Sequence, residues 1–357
     1  MSEQKEFTYK NAGININDTD AIKESMGELI KTDDSRVLNG LGPFASLYDI
    51  SFPEIREPVL VLKAEEPGSK QKLAAEYGYT ESVCHDMINH LVNDTVVMGA
   101  TPLAVLDVIV TGAVDGDTLT LLVKGMRDAC RENECALVGG ETSIQPQVLD
   151  ANTYVLTSSM AGIVEKSRII DGSKIEIGDA VLAVASNGLH TNGYTLVRML
   201  MDSYPEIKDT VVSDGETFLQ QIMRPHTPYY KAIKGLLGTD MIHGMAHITG
   251  GGIEGNLCRI IPEGMKAEID LSKIRMLPLF KFIRAKGNVA DAEMLKTFNC
   301  GVGFNIVVPQ EHKQAVMDHV NQWYDCYEIG TIVESDVPGI KPSQTAKNIR
   351  FVGALEK

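Results

Sequence analysis

The sequence predicts a mixed α and β fold in two domains, and three observations carry that expectation. The chain has 357 residues, 44% of them hydrophobic, which suffices for more than one core at ~100–200 residues per domain. Apolar runs with strand character alternate with segments of helical spacing along nearly the whole length. Near the middle, EKSRIIDGSKIEIG at 165–178 is charged and punctuated by glycine, as boundaries between domains often are. The expected division is a first domain over 1–168, a second over 169–345 and a tail over 346–357.

After a polar start, Asp20 to Lys31 has helical spacing, and the glycine loop NGLGPF at 39–44 breaks it. A strand at about 58–64 follows. Thr80 suits the start of a helix running through Val97, with Gly99 to end it and a strand over Leu103–Val110 after it. Leu119, Leu122, Val123, Met126 and Cys130 share one face of a helix beginning at Asp117. Cys135–Val138 reads as a strand ending in the turn Gly139-Gly140-Glu141-Thr142, and Tyr154–Val164 as a longer strand. The second half repeats the alternation, with strands at Ala180–Ala185, Met241–Ile248 and Val302–Val308 and helices at Tyr194–Met201 and about 253–260. The stretch after Val333, rich in Pro, Ser and Lys, is expected to be loosely held.

A net charge of −15 and a pI near 5.0 argue against a broad nucleic-acid or anionic-membrane surface, since both partners would be repelled. A small anionic substrate is compatible, because screening at about 8 Å leaves local donors to decide. No run approaches the ~20 apolar residues of a membrane span, and MSEQKEFTYK lacks the apolar core of a signal peptide, so a cytoplasmic protein is expected. Six cysteines lie scattered with no CxxC pair, which favours reduced, packed thiols over zinc or disulfides.

Within the 80–97 helix, Asp86, His90, Asn93 and Asp94 fall on one face. Apolar neighbours around them favour a buried or cleft-lining stripe over a solvated one. Carboxylates with an Asn suit a hard, oxygen-liganded ion such as Mg²⁺, whereas His90 alone reads as a hydrogen-bonded packing residue. At the end of the first strand, EEPGSK (65–70) can hold a metal-bound phosphate or simply form a charged turn. Asn187-Gly-Leu-His-Thr-Asn-Gly193 links a strand to a helix and offers amides to an anion; its His190 can bind an anion, move protons or merely face water. Thr249-Gly250-Gly251-Gly252 is a second turn of that kind. Neither has GxGxxG or GxxxxGK[ST] spacing, so a dinucleotide Rossmann fold and a P-loop are both unsupported.

Eight motifs in order resemble the phosphoribosylformylglycinamidine cyclo-ligase (AIR synthetase) family. They are YKNAGINI, NGLGPF, VND at 92–94, ALVGGET at 136–142, IVEKSRIIDGSK at 163–174, SNGLHTNGYTLVR at 186–198, AHITGGG at 246–252 and TFNCGVG at 297–303. The resemblance implies an α+β fold whose N-terminal sheet joins that of a second subunit in a barrel spanning a homodimer, followed by a C-terminal α/β domain. It implies a cleft binding ATP, Mg²⁺ and a small phosphorylated substrate, and an ATP-dependent ring closure in purine biosynthesis through an iminophosphate. Carried onto this chain, Glu65, Asp86, Asp94 and Glu141 would hold metal, and Glu65, Gly68, Ser69, Lys70, Asn93, Gly139, Gly140, Thr142, Gly250, Gly251 and Gly252 the nucleotide or phosphate. Lys70, His190 and Asn192 would act at the reacting centre.

This sequence departs from the family where DGVGTK is expected. Glu65 stands for the aspartate, Glu66 for a glycine, Pro67 for the valine and Ser69 for the threonine, while Gly68 and Lys70 match. Ala64 replaces a threonine, His90 an apolar residue, and Pro43 and Ala45 replace loop glycines. The longer Glu65 and the Cβ at Glu66 are expected to impair nucleotide handling. The alternatives are therefore a divergent paralogue that binds nucleotide or serves as a scaffold dimer, or one that activates a different substrate.

Overall fold

The structure, a computed structural model, describes residues 25–40, 44–113, 115–151, 153–336 and 348–356. YKNAGINI, the start of the first expected helix, Pro43 and the residues 337–347 lie outside them. The first half runs β1 (Pro58–Glu65), α1 (Lys70–Tyr77), α2 (Thr80–Val96), β2 (Thr101–Thr111), α3 (Gly116–Glu132), β3 (Ala136–Ile144) and β4 (Tyr154–Glu165). Its sheet has the order β1-β4-β2-β3. The β2–β3 pair is parallel, as the α3 crossover requires, and the other two pairs are antiparallel.

Alternation along β2 turns Val105, Asp107 and Ile109 inward and Leu106 outward, so one face of the sheet packs beneath the helices. Leu119, Leu122, Val123, Met126 and Cys130 of α3 are buried, as their spacing predicts. The opposite face is left apolar and open, with Leu60 at 50%, Leu62 at 73% and Leu106 at 46% exposure. Four strands with two free edges form no closed barrel among the described residues, so the chain alone does not build the expected barrel.

The second half contributes β5 (Ala180–Ala185), α4 (Tyr194–Ser203), a small pair β6 (Val211–Ser213) and β7 (Glu216–Thr217), then β8 (Gly244–His247), β9 (Met265–Asp270), β10 (Val302–Val308), β11 (Cys326–Glu334) and β12 (Ile349–Val352). The larger sheet has the order β12-β9-β11-β5-β10-β8. β5 and β10 sit inside it, which explains their unbroken apolar runs: every residue of β10 is buried.

Four elements differ from expectation. Gly139–Thr142 is not a turn but the interior of β3, paired with β2. A Cβ at Gly140 would lie 2.2 Å from the Asp107 carbonyl oxygen, so this glycine serves a close approach between strands. Part of the expected loose tail forms β12, which pairs in parallel with β9 while Asn348 donates to the Cys258 carbonyl at 3.0 Å. β9 and β11 escape the sequence pattern because charged residues interrupt MKAEID and Gly330 interrupts CYEIGTIVE. No helix among the described residues is long and apolar enough to cross a membrane.

Candidate active site

Helix α2 joins the two halves, and its polar residues divide into two stripes. Ser82, Asp86, Asn89 and Asn93 recur at helical spacing and read the backbone of 223–229. Ser82 donates to the Met223 carbonyl at 2.6 Å, Asn89 to that of His226 at 2.6 Å and Asn93 to that of Thr227 at 2.9 Å. The His226 amide donates to Asp86 at 2.8 Å and the Tyr229 amide to Asn93 at 3.0 Å. Lys70 and Asp86 are both fully buried, and the Lys70 ammonium lies 2.8 Å from Asp86 Oδ2 and 2.7 Å from the Arg224 carbonyl oxygen. Burial pushes the Lys70 pKa down and the Asp86 pKa up, and their contact opposes both shifts. Lys70, Asp86 and Asn93 are thus committed to one another and to the seam between halves.

The second stripe, His90 and Asp94, meets β1, whose alternation puts Lys63 and Glu65 on the same inward face. Lys63 Nζ bridges Glu65 at 3.0 Å and Asp94 at 2.9 Å. His90 Nε2 stands 3.4 Å from Glu65 Oε2 and 3.5 Å from Asp94 Oδ2, while its Nδ1 meets the Thr191 hydroxyl at 3.1 Å. His247, at the end of β8, places Nδ1 2.7 Å from Asp94 Oδ1 and Nε2 2.8 Å from His226 Nε2. Burial opposes the Asp94 charge, but hydrogen bonds from His247 and His90 outweigh it and hold the carboxyl well below its usual range. His190 stacks on His226 with ring centroids 3.9 Å apart, and its Nε2 meets the Thr227 hydroxyl at 3.1 Å. Burial first, then neighbouring cationic groups, pushes the His190 and His226 pKa values well down, so both rings are neutral at pH 7.

Two loops of the second half close over this cluster. Gly193 has φ 82°, and a Cβ there would lie 2.2 Å from the Phe298 ring, so glycine alone lets α4 start where it does. A Cβ on Gly68 would be 3.4 Å from the Thr191 carbonyl oxygen, and one on Gly250 3.2 Å from Asn192 Oδ1. The structure therefore brings Glu65, Gly68 and Asp94 of the first half to His190, Asn192 and Gly250 of the second. Ser69 adjoins them at the start of α1 with no capping bond from its side chain. Gly251 and Gly252 lead into a helix, Gly252–Leu257, of only six residues. Its dipole is correspondingly weak.

The β3 residues stand apart. Glu65 pairs with Ser158, Ser158 with Asp107, and Asp107 with Gly140. Three strand steps, ~14 Å at ~4.8 Å each, separate Glu65 from Gly140, and Gly139, Glu141 and Thr142 lie on that far strand too. The expected set of four metal carboxylates is thus divided: Glu65 and Asp94 converge, Asp86 is sealed with Lys70, and Glu141 is exposed on the edge strand. Glu65 and Asp94 converge on the Lys63 ammonium, which occupies the space a shared cation would need.

Both halves of the chain match models of one family: the AIR synthase related protein N-terminal domain over 58–164 and its C-terminal domain over 176–341. The chain belongs to the AIR synthase related family. A phosphoribosylformylglycinamidine cyclo-ligase of Xanthomonas campestris pv. campestris (strain 8004) is 39% identical over 304 residues, covering 84% of this chain and 89% of that protein. Among solved structures, E. coli HypE superposes with a TM-score of 0.66 at 16% identity over 94% of each chain. A hydrogenase maturation protein HypE in complex with ATP gives 0.62 at 15% identity, covering 89% of this chain and 87% of that one. At such identities the structural likeness speaks for the AIR-synthase-related fold.

Several residues of this site were not among the expected ones. Lys63 was recoverable from β1 alternation, and His247 lies within AHITGGG. His226 carries no local signal, because the α2 side chains, not its own neighbours, place it. Asp107 has only 6% exposure, and burial pushes its carboxyl pKa up to about 7, helped by the charge of Glu141.

Proposed function

We propose that this chain is an ATP-dependent cyclo-ligase of purine biosynthesis, closing the ring of aminoimidazole ribonucleotide from formylglycinamidine ribonucleotide, and that it works in the cytoplasm as a homodimer. The observation that carries this reading is the meeting of Glu65, Gly68 and Asp94 with His190, Asn192 and Gly250 in one place between the halves. The name of the 39% identical relative and the ATP complex of a protein with the same fold support it.

Bound there, ATP would supply its terminal phosphoryl group to the formamide oxygen with release of ADP, and attack of the amidine nitrogen on that carbon would then close the ring with loss of phosphate and a proton. Glu65 and Asp94 would hold Mg²⁺, whose charge would offset that of the transferring group. Gly68, Ser69 and the glycines at 250–252 let backbone approach phosphate closely. His190, kept neutral by burial, would take part as a neutral hydrogen-bonding ring, and Asn192 would orient the reacting amide. Lys70 and Asn93 serve by fixing the 223–229 segment and so the floor of the site.

A ring-closure assay on formylglycinamidine ribonucleotide with ATP and Mg²⁺ tests the proposal. One observation favours the impaired-paralogue reading: Lys63 occupies the space between the two carboxylates. Under that reading calorimetry detects ATP binding without turnover, and Glu65→Asp combined with Glu66→Gly raises activity. No gain from that double substitution refutes it.

A further inference from the structure

We propose that Cys130 and Cys135 form a redox clasp at the junction of α3 and β3, which a hydroperoxide closes into a reversible disulfide, and that the closed clasp stiffens the 223–229 segment through Asn133 and Asn89. The inference goes beyond the ring-closing reaction.

The cap of α3 carries it. The Cys135 amide donates to the Cys130 carbonyl at 3.0 Å and the Glu134 amide to that of Arg131 at 3.2 Å, while Glu134 itself has φ 57°. Those two bonds and the left-handed residue make a Schellman motif, which sets the residues at its two ends side by side, usually as an apolar contact. Here both are cysteines. Both are buried, Cys130 at 1% and Cys135 at 8% exposure, and the Cys135 thiol lies 3.5 Å from the Cys130 carbonyl oxygen. Burial pushes the Cys130 pKa well up, and the adjacent Cys135 thiol raises it further. A pair already joined through the backbone can approach the ~2.05 Å of a disulfide by side-chain rotation. Cys84 and Cys300 instead direct their thiols at the carbonyls of Leu122 and Met294.

Cys135, the less enclosed of the two, meets the oxidant first. Its sulfur attacks the O–O bond of hydrogen peroxide and becomes a sulfenic acid as one water leaves; the Cys130 sulfur then attacks that sulfur, the S–S bond forms, and the hydroxyl departs with the Cys130 proton as a second water. Two thiols lose two electrons and two protons, and the peroxide gains them. The turn so closed is wired to the other half of the chain. Its buried Asn133 donates to Asn89 Oδ1 at 2.7 Å, and Asn89 donates in turn to the His226 carbonyl at 2.6 Å. Glu134 pairs with Lys234 of the second half. A cross-link reduces the freedom gained when a turn opens, so local opening becomes rarer along this chain of contacts.

Peroxide treatment of the full chain, alkylation of the remaining thiols and tryptic mapping without reduction test the clasp. Expected is the fragment Asp128–Arg131 joined to Glu132–Lys166, two hydrogens lighter than the separate pair, and released by dithiothreitol. Deuterium uptake by 223–229 should slow by about threefold or more on oxidation and recover on reduction. In Cys135→Ala both the link and this response should be lost. Separate alkylation of Cys130 and Cys135 after peroxide, a link to another cysteine in place of this one, or a link with unchanged uptake at 223–229 would each overturn the proposal. So would uptake that still slows with peroxide in Cys135→Ala.

Discussion

Neither charge of the Lys70–Asp86 pair reaches solvent, so each depends on the other. Lys70→Met should lower stability by about 3–5 kcal/mol in urea titrations, because it strands a buried carboxylate. Adding Asp86→Leu should restore part of that loss; the His226 amide, which donates to Asp86, would still lack its partner. A further loss on adding the second substitution would refute the pairing argument. Asp107 makes a prediction in pH. Its folded pKa, about 7, lies above the unfolded value near 3.9, so its contribution is full below pH 4 and is lost as pH rises towards 7. Asp107→Asn should therefore gain stability relative to the parent between pH 4 and 8, by up to about 4 kcal/mol. Parallel pH profiles for the two proteins would contradict the shift.

At the scale of elements, α2 packs on the first sheet and also holds a loop of the second half. Asn93→Ala removes the partner of both the Thr227 carbonyl and the Tyr229 amide. Unfolding should be easier by about 2–3 kcal/mol, and the Tyr229 amide should exchange with deuterium faster than that loss alone explains. An exchange rate tracking global stability would mean that α2 does not hold this loop locally. The helix was legible in the sequence, down to its buried polar face. What periodicity left open was the destination of each side chain: a step of 100° separates Asn93 from Asp94, yet one meets backbone of the second half and the other meets β1. Gly140 was misread for a related reason. Its need for a missing Cβ arises from Asp107 on a neighbouring strand, and no window along the chain contains both. β5 and β10 were plain because burial on both faces writes itself as an uninterrupted apolar run.

For the whole molecule, the open face of the first sheet is the feature that a lone subunit explains least. Leu60, Leu62 and Leu106 lie on it together. Exposed leucines gathered on one sheet face are what a subunit interface would bury. Sedimentation should show a dimer, and Leu62→Asp should shift it to monomer with little change in far-ultraviolet circular dichroism. A monomeric parent would refute the homodimer. Motif order made the two-part architecture legible before any coordinates, whereas what covers the open face of the first sheet is written in no window of the chain.

The seam along α2 also constrains how the chain can be cut. Severing the chain between 165 and 178 would hand the first piece a row of donors and two acceptors, Asp86 and Asn93, whose matching groups all sit on the second. Alone, the first fragment would expose that row and the Lys70–Asp86 pair to water, and the second would expose the backbone groups of 223–229 that meet them. The halves are thus suited to complement one another when mixed, and poorly suited to life as separate modules, although each has a sheet of its own.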